Sequence, residues 1–157
     1  MRVIVQRAVD ASVKVDDNIV GAIDYGLVVL VGFTEGDSIK EIDYMVDKVI
    51  NLRIFDDENG VMNKSLIDVS ASILSISQFT LYADARKGRR PSYVKALRGE
   101  ESIVLYKMFN DRLRSELGKC NDISKVEEGI FGAEMKVRFT NDGPVTITLE
   151  KERESYE

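Results

Sequence analysis

Most apolar runs in this chain have the length of a β-strand, and only two stretches carry the apolar spacing of an amphipathic helix. No regular alternation of strand and helix connects them, so a doubly wound parallel sheet is not indicated. The order predicts the α+β class, with a mostly antiparallel sheet or barrel and two main helices packed outside it. Residues 1–149 are predicted to form a single domain, followed by a charged, frayed C-terminal tail at 150–157.

The strands are predicted from runs of β-branched and aliphatic residues bounded by turn-forming residues. They cover Val3–Ala8, Ala11–Val15, Ile19–Ile23, Leu27–Phe33, Ile54–Phe55, Ser72–Thr80, Glu134–Thr140 and Val145–Leu149. One helix is predicted at Ser38–Arg53, with Asp37 or Ser38 as its N-cap. The other is predicted at Glu101–Leu117 and would end at Gly118.

The composition removes several kinds of chemistry. The 157 residues include no His, which excludes Ser-His-Asp and Cys-His nucleophiles and the common zinc sites within one chain. The single cysteine, Cys120, allows no internal disulfide and fits a reducing cytosol. No stretch approaches the roughly 20 apolar residues of a membrane span. We therefore expect a cytoplasmic protein without a membrane segment or a cofactor; the composition still allows a carboxylate-bound Mg²⁺, but no motif indicates a metal site.

The first candidate site is the polar segment Ser77-Gln78-Phe79-Thr80-Leu81 at the end of a predicted strand. The residue types alone favour an ordinary strand end, with Phe79 and Leu81 in the core and Ser77 and Thr80 capping backbone groups. The functional interpretation is a cluster of hydroxyl, amide and backbone N–H donors around a substrate carbonyl oxygen.

The second candidate site is Gly143-Pro144, within the segment 141–146 that joins the last two predicted strands. Asn-Asp-Gly-Pro is a good turn sequence, and only about 5–6% of X-Pro bonds in folded proteins are cis. A turn is therefore the ordinary interpretation. The functional interpretation is a cis bond that presents the Gly143 carbonyl group in a fixed direction.

Two further features involve cations. A basic segment between residues 86 and 98 contains no acidic residue although the chain has a net charge of -5. It is either a solvated loop or a surface that contacts phosphate groups, with Tyr82 and Tyr93 nearby for stacking. Separately, Arg7 lies inside an otherwise apolar strand and must find an acceptor if it points inward. The basic residues are Arg86, Lys87, Arg89, Arg90, Lys95 and Arg98.

Five segments in order closely resemble the D-aminoacyl-tRNA deacylase family, over Met1 to about Leu149. Each segment alone is weakly specific, whereas the ordered set is highly specific. One departure is Ser70-Ala71, where the family usually has glycines, and it should affect only local backbone freedom. The segments are Gln6-Arg7-Ala8 with Ala11-Ser12-Val13, Ser77–Leu81, Gly88–Tyr93, Gly129–Met135 and Asn141–Thr146.

The resemblance implies a homodimer with a barrel-like fold and an active site at the dimer interface. One subunit would supply Ser77–Leu81, and the other would supply Gly143-Pro144 in the cis form, with Arg7 fixing its orientation. The implied substrates are D-aminoacyl-tRNA and glycyl-tRNA. A rigid Gly143 carbonyl beside the substrate Cα would leave no room for an L side chain, so discrimination would come from rejection.

The absence of His shapes the expected mechanism. Thr80 is a tempting nucleophile, but its hydroxyl needs a base that the chain does not supply. We therefore expect water to attack the ester with help from the 2′-hydroxyl of the RNA, while backbone N–H groups near Phe79 and Thr80 hold the oxyanion. Ser77 and Gln78 would position the adenosine and the ester.

The basic residues Arg86, Lys87, Arg89 and Arg90 would contact tRNA phosphates. Three other kinds of protein stay open on the residues alone. They are a tRNA-binding β-barrel module without catalysis, a hydrolase of another small ester or amide, and a structural dimer in which both motifs are only turns.

Overall fold

The computed structural model describes residues 1–153, which form one five-stranded sheet, a small two-stranded sheet and three α-helices. The strands of the main sheet lie in the order β6-β5-β2-β1-β7. The elements in chain order are β1 (Arg2–Val15), β2 (Asn18–Gly32), α1 (Ile39–Asn51), β3 (Phe55–Asp56), β4 (Met62–Lys64), α2 (Leu66–Val69), β5 (Ser72–Ser77), a 3-10 helix (Phe79–Tyr82), α3 (Glu100–Gly118), β6 (Val126–Glu128) and β7 (Lys136–Glu150).

The α+β class is confirmed and the expected barrel is wrong, while the long β1–β2 hairpin and β7 pair antiparallel as expected but β5 and β6 do not. β1 pairs antiparallel with β2 and β7, whereas β5 pairs parallel with both β2 and β6. The chain reaches β5 and β6 only after long crossovers that contain α1 and α3, which is the connection that parallel pairing needs. The sheet is therefore mixed, and its edge strands β6 and β7 do not close it into a barrel.

The strands are longer than the sequence indicates. The four predicted strands before residue 34 merge into two, β1 and β2, which form one long hairpin. Asp10 interrupts the apolar pattern of β1 in a left-handed conformation, with φ of 53°. Inward-facing positions resume at Ala11 and Val13, so a polar residue shifts the side-chain alternation without ending the strand.

Helices α1 and α3 are confirmed within two residues of their expected ends. Ser38 is the N-cap of α1 and forms a capping box with Glu41. Both helices pack on one face of the sheet, where Val5, Leu27 and Ile73 lie in the larger core. The other face carries a smaller apolar cluster with no helix over it; its buried members are Ala8, Ala11, Val13, Ile23, Val28, Leu74 and Ile76.

Three local corrections bear on the candidate sites. The strand expected at Ser72–Thr80 ends at Ser77, because the chain turns there into the 3-10 helix. The two strands expected around Gly143-Pro144 are one strand, β7, which pairs with β1 on both sides of that dipeptide. The short elements α2 and β6 were not expected, and Ser70 ends α2 in the left-handed region with φ of 51°.

The expectation of a frayed tail is wrong for its first residues. Lys151 exchanges two backbone hydrogen bonds with Met1, at 2.8 and 2.9 Å. Glu152 accepts a hydrogen bond from the hydroxyl of the buried Tyr82. The rest of the expected tail, residues 154–157, lies outside the described residues.

Candidate functional site

A cleft of about 410 Å³ opens beside the end of β5, and three of the predicted catalytic residues line it: Ser77, Gln78 and Phe79. The remaining lining comes from the end of β2, the start of α3 and the segment before β7. Among the described residues that line it, Arg98 alone has an ionisable side chain. The cleft therefore offers hydroxyl, amide and backbone groups but no general base among its described lining residues. The other lining residues are Val31, Gly32, Phe33, Ile76, Leu97, Ser102, Phe131, Gly132, Ala133, Met135 and Val137.

The 3-10 helix directs backbone donors at the cleft end of β5. The N–H of Gln78 donates a hydrogen bond to the carbonyl oxygen of Val31 at 2.7 Å, and the N–H of Leu81 donates one to the carbonyl oxygen of Gln78. The N–H groups of Phe79 and Thr80 come first in the helix, so they have no acceptor within it. No other described residue accepts from them, and two adjacent donors of this kind are what stabilisation of an oxyanion requires.

Thr80 is a neighbour of the cleft rather than part of its lining. Its hydroxyl oxygen accepts a hydrogen bond from the side-chain amide of Gln78. The structure thus places Gln78 and Thr80 in contact. No carboxylate or lysine of residues 1–153 hydrogen-bonds the Thr80 hydroxyl.

A close backbone approach holds this segment against β2. A Cβ atom at Gly32 would lie 2.8 Å from the carbonyl oxygen of Gln78 and 3.2 Å from Cβ of Leu81. Arg2 adds a hydrogen bond from Nη1 to the carbonyl oxygen of Leu81 at 2.9 Å, and its guanidinium stacks over Tyr82. Burial raises the pKa of Tyr82, so its hydroxyl stays protonated. The polar segment is therefore fixed from both of its ends.

The Gly143-Pro144 bond is cis, the isomer that the resemblance implies. It lies in a bulge, because Gln6 pairs with Thr146 and Ala8 with Asn141, which leaves four residues of β7 opposite Arg7. Gly143 has φ of 127°, a region that disfavours residues with a Cβ atom.

Arg7 points inward and is only 6% exposed. Its Nε donates to the carbonyl oxygen of Asp142 at 3.2 Å, and its Nη1 donates to the carbonyl oxygen of Ile54 at 2.8 Å. The carboxylates of Asp56 and Asp142 lie 3.4 and 3.3 Å from its guanidinium. The buried charge is thus fully paired, and the same contacts fix the bulge that contains Gly143.

The two candidate sites lie far apart within one chain. Ser77 of β5 pairs with Val31 of β2, and Val31 in turn pairs with Val3 of β1. Val3 lies four residues before Arg7 on the same strand. Four residues along a strand span about 13 Å, and three strand spacings span about 14 Å. In a flat sheet this spacing would separate Ser77 and Gly143 by on the order of 19 Å, so a single chain does not bring them into one site.

The predicted tRNA-binding residues lie on an exposed loop. A backbone bridge between Asp84 and Ser92 closes it, with two hydrogen bonds of 2.8 Å. Arg86 pairs with Asp84 at 2.7 Å, and this guanidinium holds the pKa of Asp84 well below its usual range. Lys87, Arg89 and Arg90 are exposed at the loop tip.

Comparison with known proteins gives the family. A family model described as D-Tyr-tRNA(Tyr) deacylase matches residues 4–150. The chain belongs to the D-Tyr-tRNA(Tyr) deacylase family. It is 48% identical over 153 residues to the D-aminoacyl-tRNA deacylase of Clostridium botulinum strain Hall, covering 98% of this chain and 99% of the relative. The protein of the same name from Brevibacillus brevis is 53% identical over 150 residues, covering 96% and 99%.

Solved structures agree with the fold. The c-Myc DNA Unwinding Element Binding Protein superimposes with a TM-score of 0.88 at 39% identity, covering 98% of this chain and 100% of that one. A probable eukaryotic D-amino acid tRNA deacylase gives 0.77 at 21% identity, covering 94% and 97%. The overall fold of this chain is thus shared with these solved structures.

Sequence reasoning missed part of the cleft. Ser102 was assigned no role, and Arg98 was considered only as part of the basic segment that could contact tRNA phosphates, not as part of the cleft. Phe131, Ala133 and Met135 belong to a segment that carried the family resemblance, which was the available signal. In residues 1–153, no three His, Cys, Asp or Glu side chains come together as metal ligands would. None of the helices found there is long and apolar enough to cross a bilayer.

Proposed function

We propose that this protein hydrolyses the ester bond of D-aminoacyl-tRNA, and of glycyl-tRNA, to free tRNA and amino acid, as a cytoplasmic enzyme whose catalytic domain is residues 1–149. The observation that carries the proposal is the cleft at Ser77-Gln78-Phe79 in a chain of this family. A single adenosine with its esterified amino acid matches the size of a cleft of about 410 Å³.

The chemistry follows from the groups at the end of β5. The N–H groups of Phe79 and Thr80 bind the ester carbonyl oxygen and stabilise the negative charge that develops on it. Water attacks the ester carbon, and the 2′-hydroxyl of the terminal ribose assists because the cleft lining offers no base. The bond from the carbonyl carbon to the ribose oxygen breaks, and that oxygen takes a proton to regenerate the tRNA hydroxyl.

The remaining residues of the segment orient the substrate. Ser77 and Gln78 line the cleft and bind the adenosine and the ester. The contact between the Gln78 amide and the Thr80 hydroxyl supports a positioning role for Thr80. A nucleophilic role would require the hydroxyl to lose its proton to a group that this protomer does not provide.

We propose that the working enzyme is a homodimer with two interfacial sites. By strand spacing in a flat sheet, Ser77 and Gly143 of one chain are on the order of 19 Å apart, too far to contact one aminoacyl group. A second copy can supply its Gly143-Pro144 to the cleft of the first. The apolar sheet face that no helix covers, with Val28, Leu74 and Ile76, offers a surface for that copy.

Chirality is selected by exclusion. D and L substrates carry the same groups, so affinity for the side chain does not separate them. The Gly143 carbonyl, held by the Arg7 contacts, would lie beside the substrate Cα and collide with an L side chain. Glycine has no side chain to reject, so glycyl-tRNA is also cleaved.

The test is release of amino acid from D-tyrosyl-tRNA and L-tyrosyl-tRNA by the purified protein in the presence of EDTA. Rapid loss of the D ester alone supports chiral hydrolysis without a free metal ion. Equal loss of both esters would show that the protein is a hydrolase but would contradict chiral selection by Gly143. No loss of either would reject the enzyme.

A second candidate is a nucleic-acid-binding module without catalysis. It is favoured by the exposed cations at the tip of the 84–92 loop and by the 39% identity to the c-Myc DNA Unwinding Element Binding Protein. It predicts saturable tRNA binding with an intact ester, which the same assay measures.

A further inference from the structure

Arg98 brings a charge into the cleft that the proposed chemistry does not use. Its guanidinium carbon lies 4.2 Å from the centre of the Phe79 ring and 5.7 Å from that of Tyr93. Stacking of this kind holds a planar cation in one orientation and leaves its N–H donors available. Among residues 1–153, Arg98 forms neither an ion pair nor a side-chain hydrogen bond, so no carboxylate of this protomer neutralises it.

Ser102 is a second polar group without a partner at the same place. It is 3% exposed, it lines the cleft, and its hydroxyl has no hydrogen bond to any described residue. It lies in the first turn of α3, whose N-cap, Gly99, supplies no side-chain cap. The first N–H groups of a helix favour a nearby anion, so a hydroxyl donor and helix donors coincide beside Arg98.

The loop that carries Arg98 is fixed to the segment that directly follows β2. The N–H of Leu97 bonds the carbonyl oxygen of Phe33 at 2.9 Å, and the hydroxyl of Thr34 bonds the carbonyl oxygen of Lys95 at 2.6 Å. Glu35 and Glu101 line a neighbouring cavity that Arg98 also borders, but neither carboxylate lines the cleft or pairs with Arg98. The cationic character of this end of the cleft is therefore built into the fold.

We propose that Arg98 and Ser102 form an anion subsite that binds the phosphodiester on the 5′ side of the terminal adenosine. This inference rests on the proposed function. The aminoacyl-adenosine end of the substrate carries a positive ammonium group and no negative charge. The anion nearest to the ester is that phosphodiester. It is therefore the substrate group that a single cation in the cleft lining would bind.

The experiment measures binding of adenosine and of adenosine 5′-(methyl phosphate) by calorimetry, while hydrolysis of D-tyrosyl-tRNA is measured on the same preparations. Wild type should bind the phosphate compound roughly three- to tenfold more tightly than adenosine. Arg98→Ala should abolish that preference and leave adenosine affinity unchanged, and Arg98→Lys should retain part of it. Ser102→Ala should reduce it by about half. Lys119→Ala removes a remote exposed cation and should preserve it.

Three outcomes would overturn the subsite while hydrolysis of D-tyrosyl-tRNA stands. They are a wild type without phosphate preference or without measurable binding of either compound, an Arg98→Ala protein that keeps the preference, and an Arg98→Ala protein that loses affinity for both compounds equally. The last would show that the cation only supports the Phe79 ring. A wild type that leaves D-tyrosyl-tRNA intact would instead reject the proposed function, and the assignment to tRNA with it.

Discussion

Arg7 donates a hydrogen bond from Nε to the carbonyl oxygen of Asp142, at 3.2 Å, where the pairing of β1 with β7 is interrupted. The contact couples a buried charge to the residue that precedes Gly143. We propose that the direction of the Gly143 carbonyl depends on this charge, although Arg7 itself does not touch the substrate.

The first prediction concerns Arg7. Arg7→Met keeps an apolar stem but leaves the carbonyl oxygens of Asp142 and Ile54 without their donor. We expect the free energy of unfolding to fall by about 2 kcal/mol and D/L discrimination to fall further than D-tyrosyl-tRNA hydrolysis. Urea unfolding and kcat/KM for both esters measure these effects.

Arg112→Met is the matched control, because its ion pair with Asp43 is exposed and should be worth less than about 1 kcal/mol. An Arg7→Met protein that unfolds like wild type and keeps full discrimination would show that Arg7 does not hold the bulge.

The second prediction concerns Gly143. A Cβ atom there would lie 2.8 Å from Cγ2 of Val145 and 3.2 Å from Nη2 of Arg7, at a φ of 127°. Gly143→Ala should therefore displace the bulge and lower the ratio of D to L kcat/KM by tenfold or more, on the order of 1.4 kcal/mol. Gly118→Ala, which meets nothing within 4 Å, should leave the ratio unchanged.

The third prediction separates two roles for Thr80. If the Thr80 hydroxyl only holds Gln78, Thr80→Ala should lower kcat by less than about tenfold, and Thr80→Ser should behave like wild type. Single-turnover hydrolysis of D-tyrosyl-tRNA measures the rate. If Thr80→Ala lowers kcat several hundredfold with normal tRNA binding, and Thr80→Ser keeps the rate, Thr80 acts as the nucleophile.

The fourth prediction concerns the exposed loop. Arg89→Ala and Arg90→Ala should each weaken tRNA binding and reduce the slope of log K against log salt by roughly 0.7 to 1. Asp84→Asn should tighten binding, because it frees Arg86 from its 2.7 Å ion pair and removes a negative charge. Filter binding at several salt concentrations tests both. If the salt slope is unchanged in every variant, the loop does not contact tRNA phosphates.

The fifth prediction is a pH dependence of stability at α1. Burial raises the pKa of Glu41, but the hydroxyl and N–H of Ser38, at 2.8 and 2.7 Å, outweigh it and hold that pKa below its ordinary value. This stabilisation is present above the unfolded pKa of about 4.3 and is lost as pH falls through the lower folded value.

Glu41→Gln should therefore flatten the loss of unfolding free energy between about pH 5 and pH 3 in urea titrations. Glu35→Gln changes an exposed carboxylate and should leave the acid dependence as in wild type. A Glu41→Gln protein with the acid dependence of wild type would contradict the capping contribution.

Local patterns were enough for the helices. The apolar stripe of α1 and the Ser38 cap can be read within a few residues of each other, because helix contacts join positions three and four apart. Strand bounds were predicted less accurately. In the sequence Asp10 and Gly143-Pro144 appear to end strands, but each lies at a bulge, and the strand stays paired with its neighbour on both sides of it.

The cleft was only half visible in the sequence. Ser77, Gln78 and Phe79 stood out because polar residues end an apolar run. The positions of Arg98 and Ser102 in the cleft could not be predicted, because they depend on contacts between distant residues such as that between Leu97 and Phe33.

The sequence by itself determined the residue types available for chemistry, the two long helices and, through its ordered motifs, the family. Tertiary structure alone decided that the sheet is mixed and open, that Arg7 is buried on the carbonyl oxygen of Asp142, and that Ser77 and Gly143 lie on distant parts of the chain's fold. The physical reason is that composition and periodicity act between near neighbours in the chain. Strand order and burial of a charge depend on which distant segments pair, and the free energy of that pairing belongs to the whole fold.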